Sequence, residues 1–497
     1  MKPFDVLIIG SGLGGLACGA LLSREGMNVC VVEKHARFGG CLQSFRRQGR
    51  LLDTGMHYVG SIAPGQILHQ YLKYFGILDR LRLSPLDPAC YDEIRLDGRQ
   101  YPFACGYDRF IDRLAEQFPA ERADIEAYCR LLHRVGRTIS VETLRSGRLS
   151  SGGEEYMGIS AAEAIAGCTR NPVLRNVLAG SILLHSGDRQ QTSLYEHAMI
   201  HHSYIESAGR FVGGSQHVAD ALVETIRRNG GTVRADSEAT RLILRDGRID
   251  AVEINRTEQL GARYVISDIH PVPTFALLDG PHAIRPRFLS HLQSLPQSIG
   301  FFTTWLLLRP GSYPSLDRNY YLHNRRPDLW SLTGDHLGCR IPVVLVSAQP
   351  SDDGRFSDVI SLLLPMEAGE WAPWAGTTTG KRGDAYTAWK ERYARASIDF
   401  VAPHLPGLRE AIQSVCTASP LTYRDYTGTP DGSAYGLVKD CRNPLLSRLS
   451  PRTKVENLFL TGQNLNVHGF LGVCVSAAAT CCALVGETYL TRKIGYE

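Results

Sequence analysis

The chain opens on an apolar run, Asp5 to Ile9 (DVLII), followed by a glycine-dense turn and then by Leu16 to Ser23, where apolar and small residues recur with a helical period. A second apolar run, Val29 to Val32, ends at Glu33. Strand, helix and strand in that order predict a βαβ unit. Its turn reads Gly10-Ser11-Gly12-Leu13-Gly14-Gly15, a G-x-G-x-x-G arrangement. In that arrangement Gly10 permits the tight turn, Gly12 lets the backbone approach a pyrophosphate, and Gly15 lets helix and strand pack closely. The helix N-terminus then faces the phosphates. Glu33, with Lys34 beside it, lies 18 residues beyond Gly15, where a carboxylate binds an adenosine ribose with a free 2′-hydroxyl. This unit alone does not choose between NAD and FAD.

Further along, two segments of alternating polarity fold back through Asp-Gly turns, Tyr91 to Phe103 around Asp97-Gly98 and Thr240 to Ile254 around Asp246-Gly247, and both read as hairpins. Tyr107 to Val141 and Ile159 to Ile205 carry helical periodicity. Near the C-terminus, Asn457 to Thr461 reads as a strand running into Gly462-Gln463-Asn464 and His468-Gly469-Phe470-Leu471-Gly472, and then into a small-residue helix, Val473 to Leu484. That helix would turn its positive end toward a cofactor. Gly376 to Gly383 (GTTTGKRG) is expected to be an exposed loop rather than a phosphate loop, because it lacks a preceding strand and the full G-x-x-x-x-G-K-[ST] pattern.

Composition narrows the choice of chemistry. Of 497 residues, 43% are hydrophobic and 21% charged, as in ordinary globular enzymes, and the length allows two large domains. The net charge of +4 and a single short basic cluster, Arg46, Arg47 and Arg50, argue against a nucleic-acid partner. Thirteen cysteines without C-x-x-C pairing point to neither a zinc site nor a disulfide framework, so no metal and a cytoplasmic setting are expected. The stretch Val6 to Leu22 could be mistaken for a secretory leader, but its glycine spacing argues otherwise. The apolar run Ile299 to Leu308 falls short of the roughly 20 residues that span a bilayer.

Between the two ends the motifs accumulate. Gly39-Gly40-Cys41 is followed by Asp53-Thr-Gly55-Met56-His57-Tyr58. Later come Gly213-Gly214, Gly230-Gly231, Glu238-Ala239-Thr240, Tyr264 to Pro271 (YVISDIHP), and the segment PLTYRDYTGTPDGSAYG from Pro420 to Gly436. In order and spacing the chain resembles the phytoene desaturase, carotenoid isomerase and retinol saturase group of FAD-dependent oxidoreductases along its full length. The wording GGC followed by LDTGMHY is most similar to the retinol saturase branch, since desaturases usually carry Arg where Cys41 stands. Ala239, where most relatives have Val, is a mild departure.

The resemblance implies an α/β fold: a Rossmann-like FAD-binding domain in the two-domain architecture shared by amine oxidases and GDP-dissociation inhibitors. That domain would comprise residues 1–75, 205–275 and 455–497. A mixed-sheet and helical substrate domain would span 76–204 and 276–454. The expected FAD contacts are Gly10, Ser11, Gly12, Leu13, Gly14, Gly15, Glu33, Lys34, Gly39, Gly40, Cys41, Gly55, Met56, His57, Ala239, Gly462, Gln463, Gly469, Leu471 and Gly472.

Exchange of hydride with a flavin at a C–C bond also needs a proton source or sink, and His57, Tyr58, Tyr435 and His468 are the candidates. Cys41 reads as a packing residue more readily than as a redox thiol. The expected substrate is a hydrophobic polyene or isoprenoid-like lipid, and peripheral membrane contact could bring it in. Ile299 to Leu308 and the helices before Ile205 are candidate contributors to such a patch, with core burial the preferred reading. With no second G-x-G-x-x-G unit, the electron partner stays open between NAD(P)H and a quinone. Two competing readings share the fold: an amine-oxidase-like flavoenzyme, and a flavin-free prenyl-lipid binding module of the GDP-dissociation-inhibitor and escort type.

Overall fold

The computed structural model describes residues 3–185, 187–280, 284–325, 328–332 and 341–497. Two sheets carry the architecture. The first is an all-parallel five-stranded sheet built from β1 (Phe4–Ile9), β2 (Val29–Val32), β3 (Thr232–Arg234), β4 (Ala262–Ser267) and β5 (Leu458–Leu460) in the spatial order β3-β2-β1-β4-β5. β2 is buried at every position and β1 over its last four, as the unbroken apolar runs require of strands covered on both faces.

Helix α1 (Leu13–Arg24) follows β1 and packs against helix Gln216–Arg228 and against helix Gly469–Val485. Its Gly14, Gly15, Ala17, Gly19 and Ala20 are all buried, so backbones approach closely. A Cβ on Gly19 would lie 2.7 Å from Cδ1 of Ile226. Leu16, Leu21 and Leu22 are fully buried, each contributing about 1.5–3 kcal/mol by burial. The helix begins three residues earlier than periodicity alone suggests, because the glycines after Gly12 already take helical geometry.

The second sheet has seven strands, in the order Ile412–Ala418, Gly300–Leu308, Ser357–Met366, Val343–Pro350, Asn319–His323, Asp92–Leu96 and Arg99–Phe103. Neighbours are antiparallel except for Asn319–His323 beside Asp92–Leu96, which run parallel with Asn319 opposite Asp92. The Asp97-Gly98 and Asp246-Gly247 turns both have positive φ, 52° and 75° in the first and 51° and 78° in the second. These are the geometries a two-residue hairpin demands. The second hairpin joins a small separate sheet with Glu258–Leu260.

Gly300–Leu308 is buried along its whole length in the second sheet, which removes the Ile299 to Leu308 run as a membrane-facing patch. The helical region before Ile205 is broken by short turns and ends in α2 (Leu194–Glu206). Among the described residues no helix is long and apolar enough to cross a membrane. The first sheet draws its strands from three separated stretches of chain. We propose on that basis that residues 1–75, 205–275 and 455–497 act as one dinucleotide-binding unit, interleaved with 76–204 and 276–454.

Candidate functional site

A cavity of about 490 Å³ runs from the carboxyl ends of β1, β2 and β4 to the face of the seven-stranded sheet. Its position outside the strand ends is where parallel α/β sheets bind their ligands, and its size is ordinary for a ligand site.

At the sheet end, Gly10 has φ 95°, a conformation costly for any residue with a side chain. A Cβ on Gly15 would run into the Gly10 carbonyl oxygen. The loop therefore closes tightly enough to aim the first N–H groups of α1 at the cavity. Glu33 is 7% exposed and already oriented: its Oε2 accepts hydrogen bonds from the Ser11 backbone N–H (3.0 Å) and hydroxyl (2.6 Å), and its Oε1 accepts from the His35 N–H (3.0 Å).

Gly10, Ser11, Gly12, Leu13, Gly14, Glu33, Lys34, Gly39, Gly40, Cys41, Gly55, Met56, Ala239, Gly462, Gln463, Gly469, Leu471 and Gly472 all line this one cavity, as do His57, Tyr58, Tyr435 and His468. Gly15 lies behind the wall, packing helix on strand. The two chain ends meet here, for a Cβ on Gly14 would lie 2.9 Å from Cα of Gly462. Side-chain-free backbone along an anchored carboxylate and a helix N-terminus is the cradle that a dinucleotide requires, so the residues present fit such a group. Cys41 faces the cavity and is exposed there; desolvation by the surrounding protein, with the Asp268 carboxylate, pushes its thiol up to about 11, so it is a thiol at neutral pH.

Helix α3 (Gly469–Val485), the last but one in the chain, starts at the opposite wall, four residues before the periodic run at Val473 suggested, and His468 is its N-cap. The His468 ring is 6% exposed. Its Nδ1 lies 3.1 Å from Oε1 of Glu196, and its Nε2 lies 2.7 Å from the Leu184 carbonyl oxygen. Both partners are acceptors, so the ring is held between a buried carboxylate and a backbone carbonyl. The Tyr435 ring stacks on it at 3.9 Å, and its hydroxyl donates to the Leu183 carbonyl (2.6 Å). The N-terminus of α3 makes this end of the cavity electropositive. Burial lowers Lys439, just behind, to about 7.

Tyr58 is 6% exposed and stacks on Tyr204 at 4.3 Å. Its hydroxyl donates to Oδ2 of Asp92 (2.8 Å) and lies 2.8 Å from the Tyr321 hydroxyl. Desolvation pushes Asp92 up to about 7, against the opposing hydrogen bonds from Asn319 and Tyr58. Behind Asp92, the buried Arg210 guanidinium donates to Oδ1 of Asn319 (2.7 Å). His57 lines the same wall but its buried Nε2 has no hydrogen-bond partner among the described residues. Desolvation holds it down at about 4, so it is neutral. Between these polar groups the wall is apolar, with Leu183, Met199, Ile200, Phe301, Leu345 and Leu363.

Sequence reasoning did not find Asp92, Glu196 or Asp268. Asp92 looks like any strand-opening residue, and Glu196 is one acid on a helix. Asp268 stood inside the YVISDIHP segment, one residue past the end of β4, the place where ligand contacts concentrate in parallel sheets.

The fold is that of Rossmann-type dinucleotide-binding proteins, and the cavity lies at the carboxyl ends of its parallel strands. The family model for an NAD(P)-binding Rossmann-like domain matches residues 8–75. Over 97% of its length the chain is 27% identical to human all-trans-retinol 13,14-reductase, covering 86% of that protein. It is 24% identical over 99% of its length to the chloroplastic prolycopene isomerase 1 of an Oncidium hybrid cultivar, covering 85% of it. Among solved structures, an oxidoreductase from Methanosarcina mazei shares the fold with a TM-score of 0.64 over 95% of this chain and 98% of that one, at 16% identity. The likeness to the retinol saturase and carotenoid isomerase group read from GGC and LDTGMHY thus extends along nearly the whole chain.

Proposed function

We propose that the protein is an FAD-dependent oxidoreductase that acts on a C–C double bond of a hydrophobic polyene, in the manner of the retinol saturase branch. The observation that carries this reading is one continuous cavity with a dinucleotide cradle at one end and an apolar chamber at the other. Bound FAD supplies hydride exchange at its N5, leaving the protein to position, exclude water and move the proton.

Gly10 to Gly14, Glu33 and Lys34 would hold the adenosine and pyrophosphate, while Gly462, Gln463 and the N-terminus of α3 would hold the ring system. His468, held by Glu196 and the Leu184 carbonyl, would set the polar surroundings of the ring system when the cofactor is bound. The Leu183, Ile200, Phe301 and Leu363 side chains desolvate a conjugated chain. Tyr58 delivers the proton to the substrate carbon and is reprotonated by Asp92, whose carboxyl is half protonated near neutral pH. The electron donor is NAD(P)H or a reduced quinone. Exposed Leu445 (92%) and Leu446 (58%) are candidates for peripheral contact with a lipid surface, checked by co-sedimentation of wild type and a Leu445→Ser, Leu446→Ser variant with phosphatidylcholine vesicles.

The test is spectroscopic. The purified protein should show a flavin spectrum that reductant bleaches and that all-trans-retinol or a carotenoid restores, with loss of one conjugated double bond. Lengthening of the conjugation would reassign the direction to desaturation. Geometric isomerisation without net redox change would point to an isomerase. A colourless protein that takes up no FAD would overturn the proposal in favour of a lipid-binding module.

A further inference from the structure

Behind the chamber, away from the dinucleotide cradle, three histidines converge in the interior. The geometry points to His185, His197 and His201 as a binding site for one divalent transition-metal cation of the Zn²⁺ class. Their exposures are 0%, 0% and 2%, and one nitrogen or another of each ring lies within 4.8 Å of the other two. His185 Nε2 is 3.3 Å from His197 Nδ1. Two nitrogens bound to one tetrahedral zinc at about 2.0–2.1 Å are separated by about 3.3–3.4 Å, so this edge of the site already has the required length.

His197 is oriented from behind. Its Nε2 pairs with the Tyr128 hydroxyl at 2.8 Å, which leaves Nδ1 to face the cluster. Such a partner on the far nitrogen is what fixes ring and tautomer in metal-binding histidines. Ser181 Oγ lies 3.3 Å from His201 Nε2, and Trp330 stacks along His185 with ring centroids 6.0 Å apart. Burial lowers all three imidazoles far below their usual range, to about 4 for His185 and about 3 for His201. All are therefore neutral, and each can offer one ring lone pair to a cation. His185 Nδ1, on the far side of that ring from His197, has no hydrogen-bond partner among the described residues. Three neutral imidazoles in a dry interior suit a borderline-soft cation, with the fourth position left for water or another small ligand.

The consequence is mechanical. His185 ends the turn Ile182–Leu184, and the Leu183 and Leu184 carbonyls of that turn accept the hydrogen bonds of Tyr435 and His468. A cation would pin this turn to α2, which supplies His197 and His201, and so hold the electropositive end of the cavity in place. His197 and His201 are four residues apart on α2, the spacing that puts both on one helix face. That spacing was visible in the sequence, where attention to paired cysteines led to the expectation of no metal.

The test uses the full-length, flavin-loaded protein. After exposure to Zn²⁺ and dialysis, elemental analysis should find one equivalent per chain, and Co²⁺ added to chelator-treated protein should develop the visible bands of a four-coordinate site. A His185→Gln, His201→Gln variant should lose that equivalent while keeping its flavin. Less than about a tenth of an equivalent in the wild type, or Co²⁺ bands typical of the hexa-aquo ion, would overturn the proposal without reference to any variant. Equal uptake by wild type and a folded double variant would overturn it too, by assigning the metal to the surface.

Discussion

Asp268 tests the cradle most directly. A Cβ on Gly12 would sit 2.5 Å from its Oδ2, one on Gly462 would sit 2.6 Å from its Oδ1, and the Gly15 backbone N–H donates to it. The carboxyl therefore lies at the positive end of α1, the end a pyrophosphate also needs. Desolvation, with Glu33 adding to it, pushes Asp268 up to about 7. A phosphate charge at about 5 Å in an effective dielectric of about 20 adds about 3 kcal/mol to the cost of ionising it, which corresponds to roughly two pH units. Dinucleotide binding should therefore take up a proton whenever Asp268 is ionised in the free protein.

The sign follows from the raised value. Below pH 7 Asp268 is already neutral and binding is unaffected. Above pH 7 affinity should fall toward tenfold per unit, about 100-fold or ~2.7 kcal/mol by pH 9. Asp268→Asn preserves size and removes the ionisation, so its FAD affinity should be flat across this range and about 100-fold tighter than wild type at pH 9. The same shift acts on folding of the flavin-free protein. The fold favours the protonated acid, so this contribution to stability is greatest below about pH 4 and lost as pH rises to about 7. Flavin-stripped protein titrated with FAD by fluorescence from pH 6 to 9 reads the effect. A flat wild-type profile, or a variant with the same slope, would refute the reasoning.

Tyr58→Phe should retain FAD and slow single-turnover reduction of the polyene by roughly 10²–10⁴, the range for a lost general acid; an unchanged rate removes Tyr58 from proton delivery. Because Asp92 sits at about 7 and reprotonates Tyr58, wild-type steady-state rates should hold below that pH and decline above it, whereas Asp92→Asn should be slower but lack the decline. His468→Gln leaves the buried Glu196 carboxyl without its His468 partner, a loss of about 3–5 kcal/mol in thermal or denaturant unfolding. Adding Glu196→Gln should recover most of it, and a double variant as unstable as the single would refute the pairing. Gly15→Ala drives a Cβ into the Gly10 carbonyl and should yield folded protein without bound flavin, judged by absorbance after gel filtration.

The cofactor end was legible because its constraints are local. Gly10, Gly12 and Gly15 follow β1 within a few residues, Glu33 follows β2 directly, and each answers to a turn, a close approach or a hydrogen bond set by its neighbours. Gly300–Leu308 was legible in part. A ten-residue apolar run announces burial, but only its place between Ile412–Ala418 and Ser357–Met366 shows that a sheet rather than a lipid surface covers it. On the proton-handling side Tyr58 was among the sequence candidates, but its partners were not legible. Tyr58 meets Asp92 and Tyr321 across separations of 34 and 263 residues, and the parallel register that sets Asn319 opposite Asp92 has no counterpart in local periodicity.

Helix α2 shows why composition misleads at such places. It carries Glu196, His197, His201 and His202, yet all four are buried, so polarity here does not mark a solvent face. Each polar residue serves a different side: Glu196 pairs with His468, His197 and His201 turn toward His185, and His202 Nδ1 meets the Tyr107 hydroxyl at 2.7 Å. Between them, Met199, Ile200, Ser203 and Tyr204 form part of the cavity wall. One helix therefore ties the electropositive end of the cavity, the apolar chamber and the histidine cluster into a single rigid element. Substitutions on its histidine side should reach the chamber through the Ile182–Leu184 turn, without any contact between the altered residue and the substrate.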